Sequence, residues 1–350
     1  MSARPFQFVR GAIHFPELAL WLDAHSARGH GERVFVSHAH SDHTGSHREV
    51  ILSEGTGRLM QARVGGKRVE HILPFLEPRR FEGPGEPFHI TLLPAGHILG
   101  SAMSLIEWSG QSLLYTGDFK LKPGLSAEAC NPSRAFRCDI LVMETTFGRP
   151  QYRFPPASEV LREIVRFCEE ALRDDEVPVL LCYSLGKSQE LLAGLADSGL
   201  PVMLHSAAHE MTKIYEQLGQ FFPPYEVFDP VSSRGKVLIC PPNALKTFAD
   251  KLPGLTRTAV VSGWAMDTSC CYRHRVDAAF ALSDHADFPD LIEFARRVQP
   301  KRVYSLHGHA ADFAQTLREL GFDAQALSEN DQLQLPLWDT PAHAANGHQR

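Results

Sequence analysis

Val34-Phe35-Val36-Ser37-His38-Ala39-His40-Ser41-Asp42-His43-Thr44-Gly45 is a short apolar run followed by four candidate metal ligands. The apolar residues predict a buried strand, and the Ser, Asp and Gly residues predict a loop at its C-terminal end. Imidazole and carboxylate together suit zinc or another borderline divalent ion. The spacing allows two adjacent ions, with His38 and His40 on one and Asp42 and His43 on the other. The alternative is a histidine-rich surface loop, but such loops rarely follow a strand with an aspartate at this offset.

Other candidate ligands and acids also follow short apolar runs, and we therefore expect them at strand ends as well. The runs are Leu93-Pro94-Ala95-Gly96-His97, Leu114-Tyr115-Thr116-Gly117-Asp118, Ile140-Leu141-Val142-Met143-Glu144 and Tyr304-Ser305-Leu306-His307. His285 lies in Leu282-Ser283-Asp284-His285, after a predicted strand and before a predicted helix. Alternating short strands and ligand loops favour a layered sheet core over a helical bundle.

Composition places the chain among soluble globular proteins. It has 350 residues, 43% hydrophobic and 22% charged, enough for two domains. No apolar run approaches the roughly 20 residues of a membrane-spanning helix, and the N-terminus lacks a signal-peptide core. Seven cysteines without a CxxC pair predict a reducing, cytoplasmic compartment. The net charge of -6 gives no global attraction for nucleic acid, although bound dications and local basic patches can supply it.

The chain divides into a core and an inserted module. From residue 158, helices at 158–173, 187–195, 205–218 and 242–252 alternate with strands at 178–183, 202–204, 236–240 and 258–262. This alternation predicts a parallel α/β module. Residues 278–282, 287–298, 302–306 and 310–320 are expected to return to the core as strand, helix, strand and helix. The predicted segments are a first core part at 1–154, the insertion at 155–265, a second core part at 266–337 and a disordered tail at 338–350.

These motifs, in this order, resemble the signature of the metallo-β-lactamase fold, from residue 34 to residue 308. The resemblance implies an αββα sandwich that holds two divalent ions, zinc or manganese. By similarity, His97 completes the ligands of the first ion, Asp118 bridges both ions, and His307 completes the second. No ligand of the signature is missing.

An α/β module inserted into this core resembles the β-CASP group, whose members are nucleases. Glu144, His285 and His307 match the additional motifs of that group. Glu144-Thr145-Thr146-Phe147, Tyr152-Arg153-Phe154-Pro155 and Tyr183-Ser184-Leu185-Gly186-Lys187 are similar to Artemis-type DNA-repair nucleases. The chain also resembles bacterial exonucleases described as DNA-ligase-associated. It departs from the Artemis type at His307, where it is similar to RNA-processing members.

The resemblance implies hydrolysis of a phosphodiester bond by water activated between two metal ions. Asp42, Glu144 and His285 are the candidate catalytic residues. We assign His285 as the general acid for the leaving oxygen, with Glu144 fixing its tautomer. The alternatives are a purely structural His285 and a Glu144 that is only an acid at a strand end.

Two further groups are candidate substrate contacts. Ser184, Gly186 and Lys187 lie at a strand-to-helix turn, where free N–H groups and a lysine suit a terminal phosphate. The alternative is a plain helix start capped by Ser184. Tyr152 and Arg153 form a small basic-aromatic pair that can contact a backbone or a base, although such pairs are often solvated surface.

Three functions compete at this stage. The first is a nuclease, favoured as a single-strand DNA exonuclease in repair, with DNA ligase and helicase as partners, or an RNA-processing enzyme of the RNase J type. The second is a thioester or lactam hydrolase of the same core, but a small substrate needs neither the inserted module nor the Glu144 and His285 pair. The third is an inactive binding subunit, which the complete ligand set disfavours.

Overall fold

The structure, a computed structural model, describes residues 5–327 of the chain. The predicted tail at 338–350 and residues 328–337 of the second core segment lie outside the described residues. Within the described part, no helix combines the length and the apolar character needed to cross a bilayer.

The first core sheet has six strands whose spatial order follows the chain. The strands are β1 (Gln7–Val9), β2 (Ala12–Phe15), β3 (Leu20–Leu22), β4 (Arg33–Phe35), β5 (Glu49–Leu52) and β6 (Val69–Ile72). Helix α1 (Glu54–Val64) covers the outer face of this sheet. Ser53 caps the helix, because its hydroxyl accepts a hydrogen bond from the Thr56 N–H at 3.1 Å.

Strand β4 is apolar along its length because both faces of its sheet are covered. Successive side chains of a strand point to opposite faces. Val34 packs toward Leu59 and Met60 of α1, and Phe35 packs between the two core sheets. A strand with two buried faces loses the usual alternation of apolar and polar residues, which accounts for the uninterrupted run that precedes the ligand loop.

The second core sheet faces the first, and its first five strands precede the insertion. They are β7 (Arg79–Glu82), β8 (Pro87–Pro94), β9 (Ala102–Trp108), β10 (Gln111–Tyr115) and β11 (Ile140–Glu144).

The inserted module is a six-stranded parallel sheet with spatial order β14-β13-β15-β12-β16-β17. Its strands are β12 (Val177–Leu181), β13 (Val202–Leu204), β14 (Tyr225–Val227), β15 (Val237–Cys240), β16 (Thr256–Val261) and β17 (Ala278–Phe280). Its helices are α2 (Ala157–Arg173), α3 (Lys187–Gly194), α4 (Ser206–Gln217), α5 (Pro242–Leu245) and α6 (Cys270–His274). The predicted β/α alternation is thus present.

After the insertion, the chain completes the second core sheet. The elements are α7 (Phe288–Val298), β18 (Arg302–Leu306), α8 (Ala310–Glu319) and β19 (Ala324–Ala326). Strand β18 pairs in parallel with β11, and β19 forms the edge of the sheet. Phe294 and Phe313 of α7 and α8 pack on the outer face of this sheet. The layers are therefore helix, sheet, sheet and helix, which confirms the predicted sandwich with an inserted α/β module.

Two sequence predictions differ from the structure. Strand β17 was expected in the core, but it pairs in parallel with β16, and Phe280 packs in the core of the inserted module. We therefore propose that the insertion extends at least to Phe280. The helix predicted at 242–252 is only one turn, α5, followed by a short 3-10 helix at Ala249–Lys251. Pro242 starts that turn, and the chain leaves the helical conformation at Phe248, whose φ is -142°.

Candidate metal centre and active site

The loop after β4 is fixed by a buried aspartate that the sequence analysis did not single out. Asp23, directly after β3, accepts hydrogen bonds from the Ser37 N–H at 2.7 Å, the Ser37 hydroxyl at 2.6 Å and the Tyr115 hydroxyl at 2.9 Å. It is 3% exposed. One carboxylate therefore joins the end of β3, the ligand loop and the end of β10.

Gly117 allows the loop after β10 to approach the ligand loop closely. Its φ is 52°, and a Cβ at this position would lie 2.5 Å from the Ser37 Cβ. Any larger residue would be strained in this conformation and would push the two loops apart. The neighbouring residue, Asp118, is thereby held beside His38, with its Oδ2 3.5 Å from His38 Nε2.

In His38, His97 and His40, a hydrogen bond to one ring nitrogen sets the tautomer. The Nδ1 of His38 lies 3.0 Å from the Ser37 hydroxyl, which already donates to Asp23. The Nδ1 of His97 lies 2.8 Å from the carbonyl oxygen of Asp284, and the Nε2 of His40 lies 3.2 Å from that of Leu185. Each of these nitrogens therefore donates its proton outward, which leaves the other nitrogen of each ring with a free lone pair.

The three free lone pairs converge on Asp118. His40 Nδ1 is 3.1 Å from both His38 Nε2 and His97 Nε2, and these atoms with a carboxylate oxygen of Asp118 lie within 4.8 Å of one another. Two ligands of one zinc ion, each about 2.0–2.1 Å from the metal in tetrahedral geometry, stand roughly 3.3 Å apart. With no proton between the nitrogens, these separations fit a cation that holds them together.

The environment keeps the donors in the protonation states that a metal requires. Burial lowers the pKa of His38 well below its usual value and that of His97 to about 3, so both rings are neutral. Burial alone would raise the pKa of Asp118, but His43 and His285 outweigh it and lower the pKa well below its usual value. Neutral imidazoles around an ionised carboxylate are the donor set that binds zinc or manganese.

A second group of candidate ligands, Asp42, His43 and His307, includes a histidine that approaches the same oxygen of Asp118 as His38 does. His43 Nε2 is 3.3 Å from Asp118 Oδ2 and 3.8 Å from Asp42 Oδ2, while His43 Nδ1 donates to Asp23 Oδ2 at 2.8 Å. The ring of His307 lies 5.8 Å from that of His43. Burial opposes the charge on His43, but Asp118 and Asp23 outweigh it and raise its pKa well above the usual value. A metal ion here would replace that proton.

His285 and Glu144 form a pair beside the first group of ligands. His285 Nδ1 lies 3.0 Å from Glu144 Oε1, and the backbone N–H groups of Phe119 and Thr146 donate to the same carboxylate. The ring of His285 is 4.5 Å from that of His97. Burial would lower the pKa of His285, but Glu144 and Asp118 raise it to about 10. His285 is thus charged at neutral pH, and Glu144 occupies its Nδ1.

The contact of Asp23 with His43 leads to a prediction for metal binding. In Asp23→Asn, an amide replaces the carboxylate that orients His43, so we expect metal affinity to fall about 10–100-fold. Titration of zinc or manganese into metal-free protein measures this. Asp139→Asn is the matched control, because Asp139 lies at the opposite end of β11 and binds Ser112 and Lys301. Equal affinities for wild type and Asp23→Asn would exclude the orienting role.

The inserted module contacts the core through the turn after β12. The Leu185 carbonyl holds His40, and Gly186 has a φ of 85° where a Cβ would lie 2.3 Å from the side chain of Ile98. Ser184 does not cap α3. Gln189 does so, because its Oε1 accepts from the Gly186 N–H at 2.7 Å. This turn is therefore packed against the loop of His97.

Lys187 is internal rather than open to a terminal phosphate. Its side chain is 2% exposed, and its Nζ lies 3.0 Å from Asp284 Oδ1. The carbonyl oxygen of Asp284 holds His97, so the ion pair joins the inserted module to a candidate metal ligand. A phosphate at this turn would compete with Asp284 for the ammonium group.

Lys187→Met should lower the free energy of unfolding by about 3–5 kcal/mol, because the carboxylate of Asp284 would stay buried without its counter-charge. Chemical denaturation of wild type and variant measures this. Lys213→Met breaks an exposed pair with Glu216 and should change stability little.

We also expect Lys187→Met to lose equal activity on phosphorylated and hydroxyl ends. A loss confined to phosphorylated ends would instead support a contact between Lys187 and a terminal phosphate.

Tyr152 and Arg153 differ in their exposure to solvent. Tyr152 is 9% exposed and its ring lies 5.1 Å from that of Phe147, which in turn lies 5.9 Å from His285. Arg153 is exposed to solvent. A substrate contact by either residue remains a proposal.

The fold is that of the metallo-β-lactamase sandwich, its site brings candidate metal ligands together, and comparisons with known proteins agree. Residues 273–327 match the family model of a Zn-dependent metallo-hydrolase RNA specificity domain. A solved structure from Enterococcus faecalis, described as a protein of unknown function, superposes with a TM-score of 0.58 at 14% identity. It covers 86% of this chain and 80% of its own, and it supports the fold alone.

Curated relatives extend the agreement to most of the chain. A probable DNA ligase of Opitutus terrae is 51% identical over 337 residues, 96% of this chain and 32% of the relative. The 5' exonuclease Apollo of Gallus gallus is 29% identical over 86% of this chain and 64% of its own length. A probable RNase MJ4 of Methanocaldococcus jannaschii is 27% identical over 52% of this chain and 50% of its own.

The chain has the fold and the relatives expected of a β-CASP protein of the metallo-β-lactamase fold. It spans about a third of the Opitutus relative and less than two thirds of the Apollo and RNase MJ4 sequences.

Proposed function

We propose that the chain is a metal-dependent phosphodiesterase that hydrolyses nucleic acid, with single-stranded DNA ends as its favoured substrate. The observation that carries this proposal is the convergence of three imidazole lone pairs on Asp118, directly beside the charged His285 and its partner Glu144. A phosphodiester reaction needs both parts, because charge develops on the phosphate and the leaving oxygen must receive a proton.

Seven residues would hold two ions of zinc or manganese. The first ion would take His38, His40, His97 and Asp118, and the second would take Asp42, His43, Asp118 and His307. When bound, such ions lower the pKa of a water molecule and neutralise the charge of the phosphate. Asp118, as the residue shared by both groups, keeps the two positions adjacent.

The protein supplies the proton through His285. Glu144 binds Nδ1–H of His285, so the second proton of the charged ring is on Nε2. We propose that Nε2–H protonates the leaving oxygen when the bond to phosphorus breaks. Backbone N–H groups hold the Glu144 carboxylate, and the imidazole therefore keeps one orientation through the reaction.

The similarity to Apollo, named as a 5' exonuclease, and to DNA cross-link repair 1A proteins supports DNA as the substrate. A second candidate is an RNA-processing nuclease. The match to an RNA specificity domain and the similarity to the probable RNase MJ4 favour it.

A role in DNA repair together with a ligase has support from the Opitutus relative. That protein, described as a probable DNA ligase, contains a segment that matches 96% of this chain within a much longer polypeptide. An exonuclease that trims ends would prepare substrates for ligation. A helicase partner and a cytoplasmic location are further parts of this proposal.

End-labelled single strands test the substrate. Linear DNA, closed circular DNA, matched RNA and a thioester or lactam are incubated with the protein and manganese or zinc. We expect cleavage of linear DNA and resistance of the circle. Rapid cutting of circles would indicate an endonuclease, and a strong preference for RNA would establish the second candidate. Turnover of the thioester or lactam alone would exclude the proposal.

A further inference from the structure

A cluster of aromatic rings lies next to His285 at the junction of the core and the inserted module. Phe147, Tyr152 and Phe154 follow β11, and Trp264 follows β16. The ring of Phe147 lies 4.9 Å from Phe154, 5.1 Å from Tyr152 and 4.7 Å from Trp264. The two chain segments therefore share one aromatic surface beside the proposed general acid.

Trp264 is the ring of this cluster that lies at the carboxyl edge of the inserted sheet and is partly open to solvent. It belongs to the short helix Gly263–Met266 directly after β16. In α/β sheets, ligands bind at the carboxyl ends of the strands. The loops after β12 and β17, which contact His40 and carry His285, lie at the same edge.

Packing fixes the position of Trp264 relative to His285. A Cβ on Gly263 would lie 2.5 Å from the ring of Phe147, so only glycine lets this loop approach so closely. The ring of Phe147 is 5.9 Å from His285 and 4.7 Å from Trp264. Trp264 is therefore no further from His285 than these two distances combined.

Arginines border the aromatic cluster, two of them within ion pairs. Arg149 and Arg273 lie close enough to Tyr152 to influence its hydroxyl, together with Asp267. Arg273 pairs with Asp267 at 2.8 Å, and Arg149 pairs with Asp312. Arg153, the residue after Tyr152, is exposed. Cations that border aromatic rings are typical of surfaces that bind single strands.

We propose that Trp264, supported by Phe147 and Tyr152, stacks on the base of the nucleotide on the leaving-group side of the scissile phosphate. This inference rests on the proposed function, because a general acid at His285 must face the leaving oxygen, and that nucleotide then lies on the side of the aromatic cluster. A base is free to stack only when it is unpaired, so the site would select a single-stranded end.

Substrates that lack one base test this directly. Linear strands carry a single abasic tetrahydrofuran nucleotide on one side or the other of the first scissile phosphate. Wild type should lose about tenfold to 100-fold in kcat/KM when the leaving-side base is absent. Trp264→Ala should lose a similar factor on the intact strand and show no further loss on that abasic strand. Trp264→Phe should keep most of the activity.

The controls separate stacking from folding. Phe221→Ala removes a ring that is 93% exposed on the loop after α4, and it should leave the rates unchanged. If Trp264→Ala loses the same factor on intact and abasic strands, the ring only supports the fold, and the proposal is overturned. If Trp264→Ala does not fold, the wild-type comparison decides, because equal rates on all strands overturn the proposal. Absence of cleavage of any strand by wild type would instead reject the proposed nuclease.

Discussion

Replacing His285 with alanine is expected to lower the rate of single-strand cleavage by about 10²–10⁴, the usual contribution of a general acid. The reason is geometric, because Nδ1 of His285 is bound to Glu144, which leaves Nε2 as the nitrogen that would protonate the leaving oxygen. Glu144→Gln should reduce the rate less, since the ring would keep its place but lose the negative charge that raises its pKa. Both rates are measured on the same end-labelled strand.

Two controls decide whether His285 acts as an acid. Its ring also lies near Asp118 and Glu144 in a group that can hold a metal, so elemental analysis of the variant is required. Unchanged metal content is the expected result. A nitrophenyl nucleotide ester, whose leaving group needs no proton, should be hydrolysed by His285→Ala at nearly the wild-type rate. If the rate of ester hydrolysis falls as much as the rate of DNA cleavage, His285 is positional and the acid role must be dropped.

Asp118→Ala should have the second large effect, because this carboxylate approaches a histidine of each group of candidate ligands. Its Oδ2 is 3.5 Å from His38 Nε2 and 3.3 Å from His43 Nε2. Its loss leaves two sets of histidines without a shared anion. We expect fewer bound ions and a loss of activity beyond the roughly 100-fold seen for groups that only orient ligands.

The matched control for Asp118→Ala is Asp139→Ala, which removes a carboxylate from the opposite end of the second sheet. It should retain both metal and activity. Metal content is measured on protein purified without chelator, where wild type should hold up to two divalent ions per chain. Full metal content and full activity in Asp118→Ala would contradict the bridging assignment.

The sequence was sufficient to predict that the candidate ligands follow strands. His38, His97, Asp118 and His307 each follow an apolar run, and the carboxyl ends of the strands meet at one edge of the sandwich. Burial on both faces made those runs continuous, so the strands were recognisable without alternation. The inserted sheet was equally visible, because its helices and strands alternate at regular spacing.

Features that depend on contacts between distant segments could not be predicted. Asp23 looked like an ordinary polar residue after a strand, and only the fold brings it to His43 and Tyr115. A carboxylate directly after an apolar strand was the available signal. Lys187 was predicted to offer a phosphate site, but the fold places its ammonium against Asp284, almost a hundred residues later.

Metal reconstitution of the wild type is the most direct test of the central claim, that this cluster is the metal centre of a nuclease. The protein is stripped with chelator, manganese or zinc is added stepwise, and bound metal and cleavage of an end-labelled single strand are measured in the same samples. The stripped protein should be inactive, and activity should return as the ions bind, up to two per chain. Undiminished cleavage by the metal-free protein would contradict the account.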